Sequence, residues 1–185
     1  MQAVAQREMD PGMNAEGSLQ EMFEEHYSLV LNSAYRITGS LADAEDVLQT
    51  VFMRLARQTD LPRKGEDSRR YLRRAAVNTA LDIIRRRKTG RRVPFESFEE
   101  TLPGNHAARP DSLRSELELR AWLREALAGM NPRSAEVFTL KHLEGYSNRE
   151  IAESLKTSPG VIAVTLHRTR LRLQKEIQAF LGEKP

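Results

Sequence analysis

Apolar residues recur along this chain at intervals of three and four, and nowhere in a sustained alternation of two, which predicts helices and no sheet. Ser18 opens the first helix, with Glu21 three residues on completing a capping box. Its stripe is Leu19, Met22, Phe23, Tyr27, Val30, Leu31 and Ala34, and Gly39 ends it. Ser40 opens a second helix, striped by Ala44, Val47, Leu48, Val51, Phe52 and Leu55. Asp60 to Asp67, with Leu61-Pro62 and Gly65, reads as a loop. Ser68 caps a third helix to about Lys88, with Leu72, Ala76, Thr79, Ala80 and Ile83 inward. Thr89 to Asp111 loses the periodicity and holds Pro94, Pro103, Gly104 and Pro110, so it reads as a linker. A fourth helix from about Ser112 turns Leu119, Trp122, Leu123, Ala126, Leu127 and Met130 to one side. Asn131-Pro132 starts a fifth, carrying Val137, Phe138 and Leu140. Ser147 and Glu150 make a capping box for a short sixth, with Ile151, Ala152 and Leu155. Ser158-Pro159 starts the last, whose stripe is Ile162, Leu166, Thr169, Leu173, Ile177 and Phe180. The expected fold is all-α: a loose tail over 1–17, one helical domain over 18–88, a flexible linker over 89–111 and a second helical domain over 112–185.

The 185 residues suffice for one medium or two small domains. The absence of cysteine excludes disulfides, thiolate metal sites and cysteine nucleophiles. The N-terminus lacks the apolar core of a signal peptide, and no apolar run approaches the roughly 18 residues of a membrane span. A cytoplasmic chain without membrane insertion is expected. His26, His106, His142 and His167 show no metal-ligand spacing, and no glycine-rich phosphate loop or nucleophile elbow is present. No cofactor and no catalytic group are therefore expected.

A net charge of +3 says little, but its distribution says more. Between Arg69 and Arg92 ten basic residues meet a single acid, Asp82, with Tyr71 and Asn78 among them. Arginines hold phosphates and a tyrosine stacks on an unpaired base; the competing reading is a solvated helix face. Asp43, Glu45, Asp46 and Gln49 cluster at the start of the second helix. They suit the helix dipole there, or a docking face for a basic partner. Near the C-terminus two short helices joined by Lys156-Thr157-Ser158 form a helix-turn-helix, with Gly160, Ala163, Val164, His167 and Arg168 off the core stripe. An ordinary helical hairpin is the alternative.

These segments resemble the extracytoplasmic-function sigma factors of the sigma-70 family. Tyr35-Arg36-Ile37-Thr38-Gly39, Asp43-Ala44-Glu45-Asp46-Val47-Leu48-Gln49 and Val51-Phe52 look like the polymerase-docking segment. Tyr71 to Asp82 followed by Arg85-Arg86-Arg87 looks like the reader of the minus-ten element. Glu144-Gly145-Tyr146-Ser147, Glu150-Ile151-Ala152-Glu153 and Leu166 to Arg170 look like the minus-thirty-five reader. The resemblance implies core RNA polymerase, through its β′ clamp helices and β flap, as a partner of Asp43, Glu45, Asp46, Gln49 and Phe52. It implies capture of a flipped non-template base by Tyr71, Asn78 and the Asp60–Asp67 loop, with Arg73, Arg74, Arg85, Arg86 and Arg87 on phosphates. It gives upstream promoter DNA to Arg149, Ser158, Ala163, Val164, His167 and Arg168, and it implies an anti-sigma factor as regulator.

The recognition helix departs from the family's usual Gly-Thr-Val-Lys-Ser-Arg-Leu, reading Gly160-Val161-Ile162-Ala163-Val164-Thr165-Leu166. Each lost bidentate base contact removes about 1–3 kcal/mol of discrimination, so unusual upstream reading is expected, with Val164 against a thymine methyl. Lys156 stands where the family often has glycine. Three rivals stay open: a DNA-binding regulator that never joins polymerase, an adaptor that has lost DNA reading, and an enzyme such as a nuclease.

Overall fold

The computed structural model describes residues 11–58, 62, 65–90 and 110–182, the side chains of 11–18 and 110–114 excepted. Residues 1–10 of the expected tail, 91–109 of the expected linker and residues 60, 61, 63 and 64 of the expected loop lie outside them. Among the described residues there are seven helices and no strand: α1 (Pro11–Thr38), α2 (Leu41–Ala56), α3 (Glu66–Lys88), α4 (Pro110–Ala128), α5 (Pro132–His142), α6 (Asn148–Ser154) and α7 (Pro159–Gly182).

Most ends follow local chemistry. Ser40 caps α2, its hydroxyl accepting from the Asp43 N–H at 3.3 Å. Asn131 caps α5 by accepting from Arg133 N–H at 3.0 Å, ahead of Pro132, whose missing N–H costs nothing there. The capping box of α6 is complete, with Ser147 and Glu150 exchanging hydrogen bonds of 2.8 and 3.2 Å. Two starts differ from expectation. Helix α1 begins at Pro11 rather than at Ser18. Proline suits a first turn, and Gly12 and Gly17 cost only about 1 kcal/mol each within a helix, too little to stop it. Helix α3 starts at Glu66, after Gly65 at φ 96°. Ser68 is not its cap but lies fully buried inside it, donating to Gly65 O at 2.8 Å and facing His26 Nε2 at 3.0 Å. The glycine turn and the acidic first turn of Glu66 and Asp67 start the helix instead.

Helices α1, α2 and α3 pack on one another, and α5, α6 and α7 form the helix-turn-helix unit. Helix α3 also packs against α4 and α5. That double duty widens its buried arc: Val77, Leu81 and Ile84 are buried beside the expected Leu72, Ala76, Thr79 and Ala80, while Ile83 is only half-buried. Leu119, expected inward, is exposed. The rest of the α4 stripe, from Trp122 to Met130, joins one continuous core that runs from Met22 to Leu173. Gly39 is where the chain needs glycine: its φ is +66°, and any Cβ there would collide with the Arg124 guanidinium.

Lys156 sits in the helix-turn-helix turn at φ 49°, a left-handed conformation that strains any residue with a Cβ. Lys156→Gly is expected to raise unfolding stability by about 0.5–1 kcal/mol in urea melts, the relief of strain outweighing the flexibility given to the unfolded chain. Unchanged or lower stability would refute this.

Candidate functional site

The acidic start of α2 divides into two populations. Glu45, Asp46 and Gln49 are exposed on one helical face, and Met53, four residues beyond Gln49, extends that face with an apolar side chain that is 49% exposed. Asp43 and Phe52, expected on the same docking surface, are not on it. Asp43 is buried, and one of its oxygens takes the Arg87 guanidinium at 2.5 Å. Burial pushes its carboxyl above the ordinary range, against the pull of Arg87 and the Ser40 hydroxyl. Phe52 is buried with its ring 4.9 Å from that of Phe23, which in turn meets the Tyr27 ring edge-on at 5.6 Å. Both are therefore corrected from surface contacts to supports. An acid in the first turn satisfies the helix dipole from inside, and an aromatic on the core stripe packs. Met53 escaped the sequence reading, although an apolar residue among acids on a polar face is a signal.

The basic helix carries the second set. Tyr71, Arg74 and Asn78 lie at i, i+3 and i+7, on one face of α3. Tyr71 is 38% exposed, its hydroxyl accepting from Gln58 Nε2 at 2.7 Å, which steadies the ring. Arg85 pairs with Asp82 at 3.1 Å, and Arg86 donates to the Asp82 carbonyl at 3.3 Å. Arg87 is committed to Asp43 and is corrected from a free phosphate contact to the partner of that buried acid.

Arg73, Arg74 and Asn78 face the second helical unit. Glu136 of α5, which the sequence reading did not single out, takes Arg74 Nε at 2.7 Å and Asn78 Nδ2 at 3.0 Å on a single oxygen. Arg74 also donates to the Ser154 carbonyl at 2.9 Å. Arg73 approaches Glu144 at 3.2 Å and lies over the Tyr146 ring, 5.5 Å from its centre. Arg70 meets Glu153 at 3.8 Å. Glu144 and Tyr146, which fall within the segment resembling an upstream-DNA reader, thus point at α3. A signal existed at Glu136: it lies between Ala135 and Val137, and its neighbours one turn on, Thr139 and Leu140, are buried too.

The Glu144 side chain is 1% exposed, and burial pushes its carboxyl above the ordinary 4.5, held back by the Ser33 hydroxyl at 3.0 Å and by Arg73 and Arg36. A carboxyl raised in this way binds more protons folded than unfolded. The stability it contributes is present below 4.5 and is lost as pH rises through the raised value. The stability difference between Glu144→Gln and the parent chain should therefore shift in the variant's favour as pH climbs from about 4.5 towards neutrality. Urea melts at stepped pH check it, and a pH-independent gap would refute it.

The residues expected to read upstream DNA lie open. Ser158, Gly160, Val161, Ala163, Val164, His167 and Arg168 are exposed along the start of α7, with Ile162 buried behind them. The Ser158 hydroxyl accepts from Val161 N–H at 3.3 Å, and Thr165 returns its hydroxyl to the Val161 carbonyl at 2.8 Å. Arg149 is exposed and pairs with Glu153 at 3.1 Å. Among the described residues no cluster of ligating side chains could hold a metal ion, and no helix is long and apolar enough to cross a membrane.

The family profile for sigma-70 region 2 matches residues 22–90, and that for sigma-70 region 4 matches residues 120–173. The chain is 33% identical over 150 residues to the RNA polymerase sigma-E factor of Streptomyces avermitilis, a match covering 81% of this chain and 79% of that one. It is 29% identical over 166 residues to the ECF RNA polymerase sigma factor SigE of Mycolicibacterium smegmatis, covering 90% and 64%. Among solved structures, the sigma factor RpoE of Bartonella quintana, crystallised with the anti-sigma factor NepR, shares the fold. Its TM-score is 0.53 at 19% identity, over 87% of this chain and 97% of that one.

Proposed function

Because the chain belongs to the sigma-70 family, in its extracytoplasmic-function branch, we propose that three separate surfaces share the work of initiation. Helix α2 docks on polymerase, α3 handles opened DNA, and α7 reads duplex upstream. As a sigma factor the chain binds core RNA polymerase and directs promoter-specific initiation, including recognition and melting of the promoter. The observation that carries the division is the opposition of charge on adjacent helices. Glu45, Asp46 and Gln49 stand exposed on α2, while Tyr71, Arg73, Arg74, Asn78, Arg85 and Arg86 populate α3. Acids repel DNA and attract a basic protein surface, and arginines do the reverse.

On this reading Glu45, Asp46 and Gln49, with Met53 as an apolar anchor, meet the β′ clamp helices, and the second unit meets the β flap. Base flipping costs a few kcal/mol, which Tyr71 stacking and the Asn78 amide offset. The chain supplies no bond-making chemistry; polymerase does. It works in the cytoplasm, where polymerase and promoter are, under an anti-sigma factor. Run-off transcription with purified core polymerase over a promoter library tests the whole. Chain-dependent transcripts are expected. Duplex binding without transcripts would favour a regulator that never joins polymerase, and neither would favour an adaptor.

Upstream reading is expected to be apolar. Val161 and Val164 are 54% and 50% exposed at the start of the recognition helix, where the family carries polar readers. A buried methyl is worth about 0.8 kcal/mol. Replacing the thymines of the upstream element by uracil, which removes only that methyl, should weaken binding by about fourfold per contacted base. Equal affinity for the two duplexes in an anisotropy titration would exclude methyl contacts.

A further inference from the structure

We propose that Gln58, just past the end of α2, is a positioning residue for the single-strand face: its amide turns the Tyr71 hydroxyl proton outward, as a donor to a phosphate of the melted strand. The proposal rests on the assignment of Tyr71 to opened DNA made above, and adds a second contact at the rim of the stacking ring. Gln58 Nε2 donates to the Tyr71 hydroxyl oxygen at 2.7 Å. A phenol oxygen has one proton to give and lone pairs to receive with. Gln58 fills the receiving side, so the proton is left to point away from the amide. An oxygen that accepts is also the stronger donor, because each hydrogen bond polarises the next.

Gln58 is placed for this by the way α2 ends. Its backbone N–H donates to Leu55 O at 3.0 Å, a closing turn that holds the residue beside α3. Arg54, one turn earlier, reaches α3 as well, donating to Thr79 Oγ1 at 3.5 Å. Gln58 and Arg54 thus mark one edge of α2, and both are exposed along it. Where α2 packs on α3, that edge offers a hydroxyl donor and a guanidinium, two kinds of group that take a phosphodiester.

The acceptor follows from the ring. A base stacked on Tyr71 lies over its face, whereas the hydroxyl proton lies in the ring plane, since the oxygen is conjugated with the ring. The proton is aimed past the stacked base, at the sugar–phosphate chain beside it. A phosphate oxygen is charged and makes the stronger hydrogen bond there. Such a contact holds the strand in place and is indifferent to which base is stacked.

The test uses holoenzyme assembled from the full-length chain and core polymerase. Its probe is a fluorescein-labelled promoter fragment whose melted region is mispaired, so that strand binding is read apart from opening. Gln58→Glu puts a carboxylate of the same shape in place, which accepts the phenol proton and turns the hydrogen bond round. Affinity is expected to fall about tenfold, the loss of one hydrogen bond to a charged group, and Tyr71→Phe should lose the same. Combining the two should cost no more than about twofold beyond Tyr71→Phe alone, because the proton is already gone. An equal loss from Gln58→Glu in both backgrounds reports repulsion by the new carboxylate and overturns the proposal. Replacing the phosphates of the unpaired strand one at a time by neutral methylphosphonate should find a position where the parent loses about tenfold and Tyr71→Phe less than about twofold. No such position overturns the phosphate as acceptor. Tyr71→Ala separates the proposal from the reading beneath it. Parent-like binding by Tyr71→Ala would remove the assignment of Tyr71 to DNA; a loss there with parent-like binding by Tyr71→Phe would remove the role of Gln58 alone.

Discussion

Exchanging Asp46 for arginine together with Gln49 for alanine is expected to lower affinity for core RNA polymerase by about a hundredfold. Truncating one partner of an interfacial charge pair costs about 2–5 kcal/mol, and reversing its sign adds repulsion; about 3 kcal/mol is already a hundredfold. Both side chains are exposed and outside the core, so the fold should lose no more than about 0.5 kcal/mol. The same pair of changes should leave duplex binding by α7 untouched, which separates docking from DNA reading. Titration of labelled chain into core polymerase checks it, with chemical melts run alongside. Asp43 is the informative contrast. Its loss should act on stability, since it is buried against Arg87, and far less on docking. Wild-type affinity in the double variant would end the assignment of the α2 face.

The second large effect is on melting. Tyr71→Ala with Asn78→Ala, assayed in the assembled holoenzyme, should reduce promoter opening by about a hundredfold. Stacking on an aromatic ring is worth about 1–3 kcal/mol per base, and a good bidentate side-chain contact to a base about 1–3 kcal/mol. Two such losses near the lower half of those ranges already give this factor. Tyr71 is exposed and its hydroxyl is held by Gln58, so the ring is in position without being part of the core. Permanganate reactivity of thymines in the opened strand reads the melting directly. Binding to intact upstream duplex should be unchanged. If opening survives the double substitution, the flipped base is held elsewhere, and the 59–64 segment becomes the place to look.

Several features are legible along the chain because they are local. The caps at Ser40, Asn131 and Ser147 are readable because a hydroxyl or amide one turn ahead of an apolar run has one obvious use. The left-handed turn at Lys156 is signalled by the resemblance, since the family often has glycine at that place. The starts of α1 and α3 are not. A serine followed three residues later by an acid carries the same signal whether it caps a helix or lies within one, and a serine near a helix start, like Ser68, can be buried instead of capping. Asp43 and Phe52 are misplaced for a related reason. Charge and aromaticity are visible in a sequence, but the direction a residue faces depends on what packs over it. Glu136 is invisible because its partners, Arg74 and Asn78, lie 62 and 58 positions away.

The sequence alone determined seven helical stripes, the caps at Ser40, Asn131 and Ser147, and the segregation of acids onto α2 and arginines onto α3, since each depends only on neighbours within a turn or two. Tertiary structure alone decided that α3 would be the central helix, that Arg87 would neutralise Asp43, and that Glu136 would pair with Arg74 and Asn78. Contacts between residues tens of positions apart leave no periodic trace along the chain. They form only when burial of the apolar stripes brings the helices together, and the charges then pair with whatever that packing sets beside them.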